Sequence, residues 1–177
     1  HYPRRAAFQN YLDDNDPDRG LKIKVLYCRP MKKGRAIFGT LEPWGKDWRL
    51  GANEATEVTF YQAVEIGGTH LEAGTYTMFA QIYPSNWVLK LSSERFIAGV
   101  SNRDITKDVV AVNIPTTQVP NVREEFTIGF QKVDEGNVNM VFEWDQTRAM
   151  LPINLNAVSL ANGSDTSPMD LVQYPNS

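Results

Sequence analysis

Apolar and polar positions alternate at a period of two over most of the chain, which predicts strands rather than helices. Lys22-Ile23-Lys24-Val25-Leu26-Tyr27-Cys28 alternates and then becomes apolar on both faces, the pattern of a strand entering a core. Residues 57–62 predict a second strand, and Val64 and Ile66 lead into Gly67-Gly68, a two-residue hairpin signal. Residues 75–83 and 87–91 alternate on either side of a Pro84-Ser85-Asn86 turn. Residues 108–114 form a further strand, expected to stop at Pro115. Phe126, Ile128 and Phe130 share one face of residues 125–131, as do Val138, Met140, Phe142 and Trp144 after a turn at residues 134–137. Residues 150–155 are expected at a sheet edge, because Pro152 lacks a ladder donor. Residues 92–107 carry no pattern beyond a short helical turn expected around residues 94–97.

Without a long helix or a βαβ rhythm, the expected fold is an all-β antiparallel sandwich, jelly-roll-like or barrel-like, of eight to nine strands. The 177 residues suit one domain. A polar segment at residues 1–20 precedes the sandwich at residues 21–155, and a tail rich in Asn, Ser, Asp and Pro occupies residues 156–177.

One stretch breaks the rhythm. Residues 28–56 are far longer than an ordinary strand connection. Ile37, Phe38, Leu41, Trp44 and Trp48 give it apolar anchors, while Pro30, Pro43 and four glycines shape its turns. The expectation is an ordered segment folded back on the sheets. Arg29, Arg35, Arg49, Asn53 and Glu54 lie between the anchors, and Glu143 and Arg148 form a second polar group downstream. Guanidinium groups bind carboxylate or phosphate bidentately, and indole faces stack on sugars or cations. Arg29, Arg35, Trp44, Trp48, Arg49, Asn53, Glu54, Glu143 and Arg148 are therefore the candidate site for a small anionic or saccharide ligand. Two other readings stand beside it. Arg49 could pair with Glu54 or Glu143 and simply close a structural or protein-interaction domain. Alternatively, Glu54 and Glu143 could serve as acid and base in glycan hydrolysis.

Charge narrows the partners. The net charge of −3 and pI near 5.4 argue against nucleic acid, which needs a basic face. Residues 28–56 hold six cations against three acids, leaving the rest of the chain at −6. No apolar run reaches membrane-spanning length. The single cysteine, Cys28, excludes an internal disulfide and reads as a small core hydrophobe, since the only histidines, His1 and His70, are distant in sequence. The acidic run at residues 13–19 fails the calcium-loop pattern, with Arg19 at the sixth position and Val25 at the twelfth counted from Asp14. There is no phosphate loop, dinucleotide fingerprint, nucleophile elbow or zinc spacing, so no catalytic residue, metal or cofactor is expected, and nothing in the sequence bears on oligomeric state.

Arg29-Pro30, Lys33-Gly34-Arg35, Ile37-Phe38-Gly39, Leu41, Pro43, Gly45 and Trp48-Arg49-x-Gly51-Ala52-Asn53-Glu54-Ala55-Thr56 closely resemble the signature of the family called domain of unknown function 2911. Val64-Glu65-Ile66-Gly67-Gly68, Ala73-Gly74-Thr75-Tyr76, Glu125–Ile128, Glu143-Trp144 and Thr147-Arg148 follow in matching order, so the resemblance spans about residues 21–155. Residues 95–99 depart from the tryptophan-containing stretch usual there, and the acidic run at 13–19 is particular to this chain. The resemblance implies a bacterial, exported, extracytoplasmic protein and supplies no reaction.

Overall fold

The computed structural model describes residues 6–12, 20–95, 97 and 99–160. Among these residues there are ten antiparallel strands: β1 (Ala6–Leu12), β2 (Leu21–Cys28), β3 (Asp47–Trp48), β4 (Glu57–Phe60), β5 (Val64–Ile66), β6 (Thr69–Leu71), β7 (Gly74–Ile82), β8 (Asn86–Ser92), β9 (Asp108–Lys132) and β10 (Asn137–Asn154). They run β1-β2-β4-β7-β8-β9-β10-β5-β6, with β3 pairing off this path to β7. This is the all-β, sandwich-like architecture that the alternation predicts. Among the described residues there is no α-helix, and a single 3-10 turn lies at Ile105–Lys107 rather than around residue 95.

The long strand β9 joins the two halves. Asp108–Pro115 pair only with β8, and Thr116–Lys132 pair with β10. Pro115, expected to end a strand, instead sits where the strand changes partner, so its missing N–H costs little. Between Glu143 and Thr147 of β10 the partner on β9 moves from Thr127 to Gln118, so nine residue steps of β9 face four of β10. Asp145, at φ 53, takes up the resulting bend. The bend also switches the buried parity of β10. Val138, Met140, Phe142 and Trp144 face inward before it, and Ala149, Leu151 and Ile153 after it.

β1 occupies residues read as polar from sequence. Of its described side chains only Tyr11 is buried, packing on Phe130 at 5.7 Å, so the strand is held by its ladder with β2 and shows little apolar period. The acidic run at residues 13–19 and the tail from residue 161 onward lie outside the described residues. The start of the tail docks on Glu72, which accepts hydrogen bonds from Ser159 Oγ and the Leu160 amide, each at 2.8 Å.

The core is aromatic at its centre. Trp48 stacks on Trp144 at 6.0 Å and meets Trp87 and Phe126 edge-on at 5.6 and 5.0 Å. Phe38 packs on all three tryptophans. Such rings bury more area than any other side chain, and edge contacts add to that.

Candidate functional site

The segment between β2 and β4 is ordered because it borrows partners from both halves of the sandwich. Phe126 N donates to Pro30 O and Lys32 N to Glu124 O, tying its start to β9. Gly45 N donates to Ile82 O, β3 pairs with β7, and Thr56 Oγ1 caps Leu50 O at 2.6 Å, tying its middle and end to the other half. Between these ties the turn from Ile37 to Glu42 closes on itself, with Glu42 N donating to Ile37 O and Gly39 N to Glu42 O.

That path distributes the nine sequence candidates over several places. Trp48 is a core residue, not a ligand platform: it is 3% exposed and its indole N–H donates to Gly51 O. Arg29 bridges to Glu125 at 2.7 Å. Arg35 is spent on the segment's own backbone, donating to the carbonyls of Lys32 and Met31. Asn53 and Glu54 gather around Cys28, whose thiol lies 3.9 Å from Glu54 Oε2. Burial pushes that thiol above its ordinary value and the Glu54 charge adds to this, against a hydrogen bond from Asn53, so the thiolate is disfavoured.

Arg49 does not pair with Glu143, which is already occupied. Glu143 accepts from Arg148 Nε and from Arg123 Nη2, both at 2.8 Å, with Arg148 Nη2 giving a third bond. Burial acts to raise the Glu143 carboxyl, but the bonds and charges of Arg148 and Arg123 outweigh it and hold the group below the usual carboxylate range. It is therefore an ionised counter-ion and a poor proton donor at neutral pH. Glu54 belongs to a different cluster, beside Cys28, so the two carboxylates of the hydrolase reading are not brought together as a pair.

Trp44 has a different environment. It is 43% exposed and lines a cleft of about 320 Å³ with Phe38, Tyr83, Gln118, Asp145 and Thr147. Gly39, at φ 86, lies directly under the indole. Asp145 in this cleft is already neutralised by Lys32 Nζ at 2.8 Å, and the same ammonium donates to Arg35 O. Gln118 donates to Thr147 Oγ1 at 3.5 Å and Gln146 to Pro120 O at 3.1 Å, bracing the polar wall.

The family model described as a protein of unknown function (DUF2911) matches residues 15–153. The chain belongs to that family. No curated protein and no solved structure matches it. For this DUF2911 chain, then, the site must be argued from geometry.

Sequence reasoning missed several residues that the fold brings forward. Gln118, Asp145 and Thr147 join Trp44 only because β9 and β10 bend beside the segment, and Tyr83, in the turn after β7, meets it through the bond from Gly45 N to Ile82 O. Arg123 joins Glu143 for the same reason. In sequence Glu42 is only one of the three acids set among six cations in residues 28–56, yet burial pushes it up to about 7 against the opposing charges of Arg49 and Arg35. Its signal in sequence was its position between the apolar anchors Leu41 and Trp44.

Proposed function

We propose that this protein is a non-enzymatic saccharide-binding domain whose ligand stacks on Trp44 and Tyr83. The observation that carries the reading is a solvent-exposed indole and phenol, 43% and 36% exposed, held over a cleft walled by amide, hydroxyl and carboxylate groups. Flat apolar faces suit the C–H faces of a sugar ring, and the polar wall offers both donors and acceptors for its hydroxyls. The cleft volume of about 320 Å³ falls at the low end of the range that holds small ligands, roughly 300–1,000 Å³. Its charge favours a neutral sugar over an anion, since among the described residues that line it there is no Lys or Arg, and Lys32, which reaches Asp145, is engaged by that carboxylate.

We also propose that the protein works outside the cytoplasm. The support for this is the likeness of residues 29–56 to the signature of a family that the resemblance implies is bacterial and commonly exported. Recovery of the natural protein in a cytosolic fraction would contradict it.

The binding reading is tested by a thermal-shift screen of neutral mono- and oligosaccharides on the wild type and on Trp44→Ala. At least one sugar should raise the wild-type melting temperature and leave the variant unmoved. A screen in which no sugar moves the wild type, or in which Trp44→Ala responds equally, overturns the reading.

A further inference from the structure

A second group of polar side chains lies apart from the Trp44 cleft, on the outward side of the bent β9–β10 ribbon. Arg148 and Glu143 are shared by two clefts of about 330 and 310 Å³, the first completed by Arg123 and residues 119–122, the second by Thr127, Gln131 and Met150. The five extra residues of β9 opposite Glu143–Thr147 form the wall of the first cleft, so the bend that serves the fold also makes this concavity.

The charges in it do not balance. Two guanidinium groups converge on one carboxylate, leaving the cluster at +1. Glu143 is recessed, with its side chain 12% exposed, whereas Arg123 and Arg148 are 52% and 43% exposed and form the rim. Glu143 takes Nη2 of Arg123 and Nε with Nη2 of Arg148, while among the described residues Nη1 of both arginines makes no hydrogen bond. Both guanidinium groups are thereby tethered to Glu143 with N–H donors left over, Arg148 by two bonds and Arg123 by one, which lowers the ordering cost of receiving a ligand. A carboxylate between two arginines also offsets their mutual repulsion and keeps them close enough for one ligand to touch both. An anion arriving from solvent meets the guanidinium rim before the recessed carboxylate.

We propose that Arg123 and Arg148, aligned by Glu143, form a binding site for a compact oxyanion group such as a carboxylate, sulfate or phosphate. One N–H donor from each arginine can reach a separate oxygen of one such group, and hydrogen bonds between a charged donor and a charged acceptor are stronger than neutral ones. The site is independent of the Trp44 cleft, which has different walls.

The test is titration calorimetry at low ionic strength with inorganic sulfate, inorganic phosphate and glucuronate, against sodium chloride of matched ionic strength. Binding of at least one oxyanion beyond any chloride effect is expected. Arg123→Gln, at a half-exposed position that perturbs packing little, should bind about ten-fold more weakly or worse, the effect of removing one charged hydrogen-bond donor. Trp44→Ala should bind the anion as the wild type does, which separates this proposal from the saccharide reading. Tighter binding of glucuronate than of sulfate or phosphate would identify the preferred group as a carboxylate, and the reverse order as a tetrahedral oxyanion. Wild-type protein that shows no response beyond chloride, or Arg123→Gln that binds undiminished, overturns the proposal.

Discussion

Gly39 and Trp44 are in such close contact that a Cβ placed on Gly39 would lie 2.4 Å from the indole Nε1. At φ 86 the same residue holds a backbone conformation that favours glycine. The exposed indole is thus seated against a residue whose lack of a Cβ leaves room for it. Gly39→Ala should destabilise the protein by about 1–3 kcal/mol, from backbone strain plus the clash. It should also abolish any binding that depends on Trp44. Chemical denaturation together with ligand titration of the same variant measures both effects, and an unchanged affinity would show that the seat does not set the indole's position.

The two tryptophans of the segment should behave oppositely. Trp48→Ala removes the centre of an aromatic cluster and the donor to Gly51 O, and should cost roughly 3–5 kcal/mol. Trp44→Ala removes a half-exposed ring and should cost under about 1 kcal/mol. Urea unfolding curves of the two variants give the comparison directly.

Neutral pH should weaken the fold through Glu42. Burial raises its carboxyl from 4.5 to about 7, so the folded state binds its proton more tightly than the unfolded chain does. That stabilising contribution is complete below 4.5 and declines as pH rises through about 7. Glu42→Gln, which mimics the protonated form, should flatten the fall of melting temperature across this window. A variant with the wild-type slope would assign the fall to other groups.

Acid should act in the opposite sense through Asp47. Burial works to raise its carboxyl, but hydrogen bonds and charge from Arg103 and Lys90 hold it below 3.8. Its contribution is present above 3.8 and is lost as pH falls below that value. Arg103 is the hub of this network, 2% exposed, bonded to Asp47 at 2.7 Å and to both oxygens of Asp108 at 2.6 and 2.9 Å, and lying 4.4 Å over the Phe79 ring. Arg103→Ala strands Asp108 and should cost roughly 3–5 kcal/mol, measured by denaturant unfolding at neutral pH.

The strands were legible because half-buried sheets write their period into sequence. Gly67-Gly68 is a clear instance: both residues have positive φ, at 57° and 77°, and they join β5 to β6 as the hairpin signal implies. The ordered course of residues 28–56 was also legible, from its anchors. What each anchor faces was not. Trp44 and Trp48 carry the same side chain four residues apart, and only pairing of β3 with β7 sends one into the core while the other stays on the rim. Likewise Arg148 and Glu143 could be named from sequence, but Arg123 reaches them through a bulge of β9 that no local pattern encodes. Long-range register, not composition, decided the sites.

The central claim is that Trp44 alone among the four tryptophans is offered to a sugar. It is tested most directly by following the indole N–H resonances of the ¹⁵N-labelled protein during saccharide titration. One of the four signals, assigned by its absence in Trp44→Phe, should move with added ligand, while those of Trp48 and Trp144, bonded to Gly51 O and Glu124 O, and of buried Trp87 stay in place. Titrations in which no indole signal moves, or in which the moving signal persists in Trp44→Phe, would contradict the account.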